Sequence, residues 1–74
     1  MNTFPKQKTQ NQLQAEVDEF NQKFKIGQMV NVLTDSGETV IDHIRYEASI
    51  MGGHTAVAWL EVKGSYILER VTAA

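Results

Sequence analysis

The sequence predicts an α+β fold, in which one N-terminal helix precedes a small antiparallel β-barrel or strongly curled sheet of four or five strands. Apolar residues recur with the helical period before residue 25 and with the two-residue period of a strand from residue 28 onward. Tight turns separate the strand-like segments. Because the chain has only 74 residues, we expect one domain over residues 9–74, preceded by a flexible tail over residues 1–8.

The helix is expected over about residues 10–24. Thr9 and Gln12 have the spacing of a capping box at its start, and Gly27 is placed to end it. Packing of the apolar face on the chain's own sheet is the favoured interpretation, and binding of that face to a partner is the alternative. Four apolar residues share this face through their i, i+4, i+7 and i+11 spacing: Leu13, Val17, Phe20 and Phe24.

Strands are expected over about residues 28–71. The segments GQMVNVLT, TVIDHIRYEASIM, AVAWLEV and YILERV read as strands, and the last three residues are expected to fray. Turns are expected at DSGE, at GGHT and at Lys63-Gly64-Ser65, where Gly, Asp and Ser favour tight backbone conformations.

The second strand segment is long and has one irregularity. Asp42 interrupts an apolar set of constant parity, which predicts a bulge near it and a bent strand. An antiparallel sheet this short must curl to bury its inner face. We therefore expect an SH3-like barrel with the helix over one opening, or else a helix lying flat on an open sheet. The apolar set comprises Val40, Ile44, Tyr46, Ala48 and Ile50.

The charge distribution disfavours nucleic acid as a partner. Residues 1–25 carry four Lys against three acidic residues, and residues 26–74 carry three cations against six acidic residues, giving +1 and −3 and a sum of −2. Nucleic-acid binders present a concentrated basic face, and this chain has none in its sequence. The polar start and the absence of a long apolar run predict no membrane segment and a cytoplasmic location.

No residue pattern predicts a catalytic, metal or cofactor site. The chain has no Cys, and the spacing of His43, His54 and Glu47 matches no known metal motif. Gly52-Gly53 could present amides to an anion, but a turn that needs positive φ is the better account. No Ser or Thr has the setting of a nucleophile.

Five residues are the candidates for contact with a partner. Trp and Tyr dominate interface hot spots when they are exposed, but they also fill small cores, so Trp59 is open to either role. A solvated Arg45–Glu47 pair is the simplest interpretation of those two charges. The candidate residues are Arg45, Tyr46, Glu47, His54 and Trp59.

The same region carries a resemblance to known proteins. The pattern R-x-E-A at residues 45–48, followed by G-G-H-T-x-V-x-W-x-E at residues 52–61, resembles a group of small, largely uncharacterised proteins that phages, prophages and plasmids encode. The resemblance covers residues 20–71. It implies an accessory protein of a mobile element, and it implies no enzymatic activity or cofactor.

The resulting functional hypothesis is a non-enzymatic protein that binds and modulates or inhibits a host or defence protein complex, as anti-CRISPR inhibitors do. A small nucleic-acid-associated SH3-like barrel is one alternative. A small-ligand binder that works as an oligomer is another, and self-association of the chain is left open.

Overall fold

The computed structural model describes residues 8–74, so all of the predicted tail except Lys8 lies outside the described residues. The helix α1 spans Gln10–Lys23. It is followed by β1 (Met29–Leu33), β2 (Thr39–Met51), β3 (Thr55–Leu60), β4 (Gly64–Ile67), a single 3-10 turn η1 (Leu68–Arg70) and β5 (Val71–Ala73). The predicted α+β class, with one helix before a five-stranded antiparallel sheet, is confirmed.

The helix begins with the predicted capping box. Thr9 Oγ1 accepts a hydrogen bond from the Gln12 amide at 3.2 Å, and Gln12 Oε1 accepts one from the Thr9 amide at 2.9 Å. The four apolar residues predicted to share one face are all buried against β2, β3 and η1. The helix therefore packs on its own sheet. Within residues 8–74, no helix has both the length and the apolar character of a membrane span.

The sheet is open, with strand order β4-β3-β2-β1-β5 and antiparallel pairing throughout. Of the two predicted forms, the closed barrel was therefore wrong. The two edge strands are only four and three residues long, and η1 lies between them. Because α1 covers the inner face, the core is shielded without closure of the sheet.

At the C-terminus Thr72 and Ala73 pair with β1, so the fraying predicted for the last three residues was wrong for these two. The predicted strand over YILERV is interrupted by η1, and Val71–Ala73 then pairs with β1 as β5. Val71 is only 5% exposed, and Asn31 Nδ2 donates to the Ala73 carbonyl at 3.3 Å. Burial of one valine side chain, together with the ladder hydrogen bonds, holds this short segment in place.

The strand β2 belongs to both halves of the sheet. Its first part pairs with β1, and its second part pairs with β3. Two register shifts lie between Ile44 and Tyr46 and between Tyr46 and Ser49, so the bulge predicted near Asp42 was misplaced. Each shift sets one extra residue of β2 against β3, which bends the strand and increases its twist.

The Asp42 side chain points into the protein and binds the β3–β4 turn. It is 1% exposed. Its carboxylate accepts hydrogen bonds from the backbone amides of His43 at 2.7 Å, Val62 at 3.1 Å and Lys63 at 2.8 Å. An acidic residue on the inner face is therefore satisfied by backbone donors and needs no bulge.

Candidate docking surface

The ladders separate the sheet into an inner face under α1 and an outer face that no element of residues 8–74 covers. Residues directly opposite each other on neighbouring strands share a face, so the registers assign each paired residue to the inner or the outer face. None of its fifteen residues is Asp, Glu, Lys or Arg. They are Met29, Asn31, Leu33, Thr39, Ile41, His43, Tyr46, Ser49, Met51, Thr55, Val57, Trp59, Ser65, Ile67 and Thr72.

The outer face also concentrates the exposed apolar side chains. Within residues 8–74, eight large apolar side chains are exposed, and six of them lie on this face. The other two, Ile26 and Val62, lie in turns. The six on the outer face are Met29, Leu33, Ile41, Tyr46, Met51 and Ile67. An uncharged surface with this many apolar groups is typical of an interaction site.

The residues around Trp59 form a packed aromatic centre within this face. Tyr46 lies opposite Trp59 in the ladder, and the Arg45 guanidinium carbon lies 5.2 Å from the centroid of the Tyr46 ring. The indole Nε1 of Trp59 donates to Ser49 Oγ at 2.8 Å. Val57, also on the outer face, is only 2% exposed and does not belong to the core cluster. Outer side chains therefore pack on one another.

Trp59 thus lies at the surface and not in the core. It is half-buried, and the core cluster between α1 and the sheet does not include it. Tyr46 is 55% exposed, although its sequence parity matched that of the core residues. The register shift after Ile44 turns Tyr46 to the outer face together with Arg45.

Glu47 is exposed beside this centre and does not pair with Arg45. Within residues 8–74, the ion pairs join Lys8 to Glu16 at 2.8 Å and Arg70 to Asp35 at 3.7 Å. Arg45 instead stacks on the Tyr46 ring. This contact holds the guanidinium group in place, which a solvated salt bridge would not do.

His54 lies away from the other four candidates. It follows the Gly52-Gly53 turn, which begins after Met51 at the end of β2. Met51 is five residues from Tyr46, or about 16 Å along the strand. Its Nδ1 is 2.8 Å from Thr55 Oγ1, a local contact. Gly52 and Gly53 have φ of 62° and 76°, so the predicted turn with positive φ is confirmed. The structure brings together Arg45, Tyr46 and Trp59.

His54 instead borders a cavity of about 480 Å³ between α1 and η1. Its lining includes Leu13, Phe20 and Phe24, each of them at most 7% exposed, together with charged side chains of α1. Among the described residues, no three His, Asp or Glu side chains are grouped to hold a metal ion.

Among the described residues, the carboxyl group of Asp42 has a shifted pKa, and its role is structural. Burial by itself raises the pKa of this carboxyl, but the backbone amides of Lys63, His43 and Val62 outweigh burial and hold the pKa below its ordinary value. Two of the three donor amides, those of Val62 and Lys63, belong to the β3–β4 turn, and the third belongs to His43 in β2. The group is therefore a stabilising contact of the β3–β4 turn.

The sequence interpretation missed the contribution of β1 to this surface. Met29 and Leu33 alternate with the buried Val30 and Val32, so both faces of this strand are apolar. That double pattern is a usable signal, because a strand with one solvated face has polar residues at every second position.

No known protein family, curated protein or solved structure matches the chain.

Proposed function

We propose that this chain works by docking on a larger protein through its outer face, without catalysing a reaction. One observation carries the proposal: fifteen outward ladder positions without a charged residue hold six exposed large apolar side chains. The cores of protein interfaces are depleted of charge and enriched in aromatic residues and Met, and this uncharged surface holds one Tyr, one Trp and two Met.

The centre at Tyr46 and Trp59 is the anchor of the docking surface. The hydrogen bond to Ser49 fixes the indole ring of Trp59, and Arg45 is held over the ring of Tyr46. Side chains that are already ordered lose little conformational entropy on binding. A partner pocket that receives these rings would gain most of its affinity from them.

The target in this proposal is a host or defence protein complex in the cytoplasm. The resemblance of residues 20–71 to proteins of mobile elements supports that class of target, and inhibition of the anti-CRISPR kind is its most concrete form. The SH3-like classification is part of the same proposal. The strand order, with β5 returning to β1 after a 3-10 turn, supports it.

The test begins with capture of a target from the native host on the tagged full chain. The captured protein is then purified and titrated with the wild type and with Tyr46→Ala, Trp59→Ala and Val62→Ala. Val62 is a matched control, because it is 78% exposed but lies in the β3–β4 turn outside the outer face. Circular dichroism establishes that each variant is folded.

Loss of an anchor ring is expected to weaken binding about 30-fold, which corresponds to about 2 kcal/mol. Val62→Ala should leave the affinity within about twofold, as expected outside an interface core. Equal affinities for all folded variants would show that the surface is wrong. Binding to nucleic acid with a steep dependence on salt would show that the proposed class of partner is wrong.

A further inference from the structure

We infer that the outer face also binds a second copy of this chain, so that the free protein is a two-fold symmetric dimer that a target must displace. The dimer itself follows from the face and stands without the proposed function. Only the displacement by a target rests on that function.

The charge distribution favours a second copy as the occupant. The chain has sixteen charged residues, from seven Lys and Arg and nine Asp and Glu, and a net charge of −2. Two copies that approached through most other surfaces would bring like charges together. Through the outer face they bring only the Arg45 side chains at its margin, because its fifteen ladder positions are uncharged. Arg45 adjoins this face at the bulge through its contact with Tyr46.

A two-fold interface must be complementary to itself, since the same patch lies on both sides. An apolar surface meets this condition with no need for paired opposite charges. Exposed apolar groups occur in both halves of the outer face, with Ile41 on the β1–β2 side and Tyr46 and Ile67 on the β2–β3–β4 side. A two-fold rotation can therefore place apolar side chains of one copy on those of the other.

The size of the face predicts a weak dimer. A standard interface uses about 20–30 residues and about 800 Å² on each side. The face has fifteen ladder positions, and 800 Å² would be about 15% of the chain's 5370 Å². The bulges bend β2, so two rigid copies cannot use every position at once. We expect a Kd in the micromolar to sub-millimolar range, weak enough for a target to compete.

A small domain also gains from such pairing. A chain of this length buries only about 60% of its unfolded surface, and one core contributes a net stability of only about 3–5 kcal/mol. Pairing removes a second apolar surface from water and stabilises the folded state in proportion to protein concentration.

The experiment is sedimentation velocity on the full chain from about 5 to about 500 µM, the range in which such a Kd would be visible. Ile41→Lys is the test variant, because Ile41 lies on the outer face and is 62% exposed. Val62→Lys is the matched control, with the same introduced charge at a turn position that is 78% exposed. Neither side chain belongs to the core cluster, so both variants should fold.

The wild type and Val62→Lys should show a sedimentation coefficient that rises with concentration to that of a dimer. Ile41→Lys should remain monomeric, with at least a tenfold weaker association. Raising NaCl from about 50 to about 500 mM should not dissociate the dimer, because no ion pair holds it.

A wild type that is monomeric throughout overturns the proposal. A dimer that Ile41→Lys leaves intact overturns it equally, because pairing then uses another surface such as a strand edge. These failures are separable from failure of the proposed function. If the protein is monomeric and binds its target through Tyr46, only the dimer proposal fails. If it is a dimer and its anchor variants bind the target normally, only the docking proposal fails.

Discussion

The side chain of Asn21 satisfies both backbone groups of Ala48. Its Oδ1 accepts from the Ala48 amide at 2.8 Å, and its Nδ2 donates to the Ala48 carbonyl at 3.2 Å. The pairing of β1 with β2 ends at His43, so Ala48 has no strand beside it on that edge. A side chain of α1 therefore completes the hydrogen bonding of β2 at the bulge. It also joins α1 to the strand that carries Tyr46 on the outer face.

Replacing Asn21 with Ala should destabilise the protein by about 1–3 kcal/mol, because the buried Ala48 loses a donor and an acceptor together. The amide of Ala48 should exchange its hydrogen faster, as measured by NMR. Asn31→Ala is the control, since Asn31 makes one longer bond, of 3.3 Å, to Ala73. Equal stability losses in the two variants, or unchanged protection at Ala48, would contradict a clamping role for Asn21.

Replacing Asp42 with Asn should also destabilise the protein, by about 1–3 kcal/mol in urea unfolding. The carboxylate accepts from three backbone amides, and an amide side chain offers only one oxygen and places an NH2 group against these donors. Asp35→Asn is the control, because the side chain of Asp35 is 90% exposed and contacts Arg70 at 3.7 Å. It should change stability by less than about 0.5 kcal/mol. Similar losses would contradict the role of Asp42.

The contribution of Asp42 should depend on pH in a defined direction. Its pKa is lower in the folded state than in the unfolded chain, so folding favours the ionised form. The stabilisation is complete above the unfolded pKa of about 4 and is lost as the pH falls through the lower folded pKa. The stability difference between wild type and Asp42→Asn should therefore be constant from pH 7 to about pH 5 and shrink below about pH 4. A difference that stays constant in acid would refute this.

Replacing Phe20 with Ala should leave the domain largely unfolded. Phe20 is 7% exposed, and its ring centroid lies 4.5 Å from that of Phe24. The expected loss of about 3–5 kcal/mol matches the whole stability expected of so small a core. Glu19→Ala, at an exposed position of the same helix, should unfold like the wild type. A cooperative transition near the wild-type midpoint for Phe20→Ala would contradict this.

The helix was predictable because its evidence is local. Thr9 and Gln12 are three residues apart, and the apolar spacing that buries Phe20 is visible in one short window. The ends of the sheet were not predictable in this way. Val71 is held by pairing with β1, some forty residues earlier, and no local pattern reports that contact.

The candidate surface was predictable only in part. The sequence pointed to Arg45, Tyr46 and Trp59 as residues that stand out by type, and the structure places them together. Their common face depends on the exact register between β2 and β3, which parity along one strand does not reveal. The uncharged character of the whole face appears only when five strands are aligned.

The two bulges in β2 have a consequence for how this chain can change length. Ile44 and Ala48 both face inward and are four residues apart, as in a regular strand, because two single-residue slips add up to one full period. Deleting Arg45 alone would remove the first bulge and leave the pairing of Ser49 with Val57, and the faces of the residues beyond it, unchanged. A single deletion in residues 45–48 is therefore expected to be absorbed by the loss of one bulge. Loss of both extra residues would keep the core and straighten the strand that presents Tyr46.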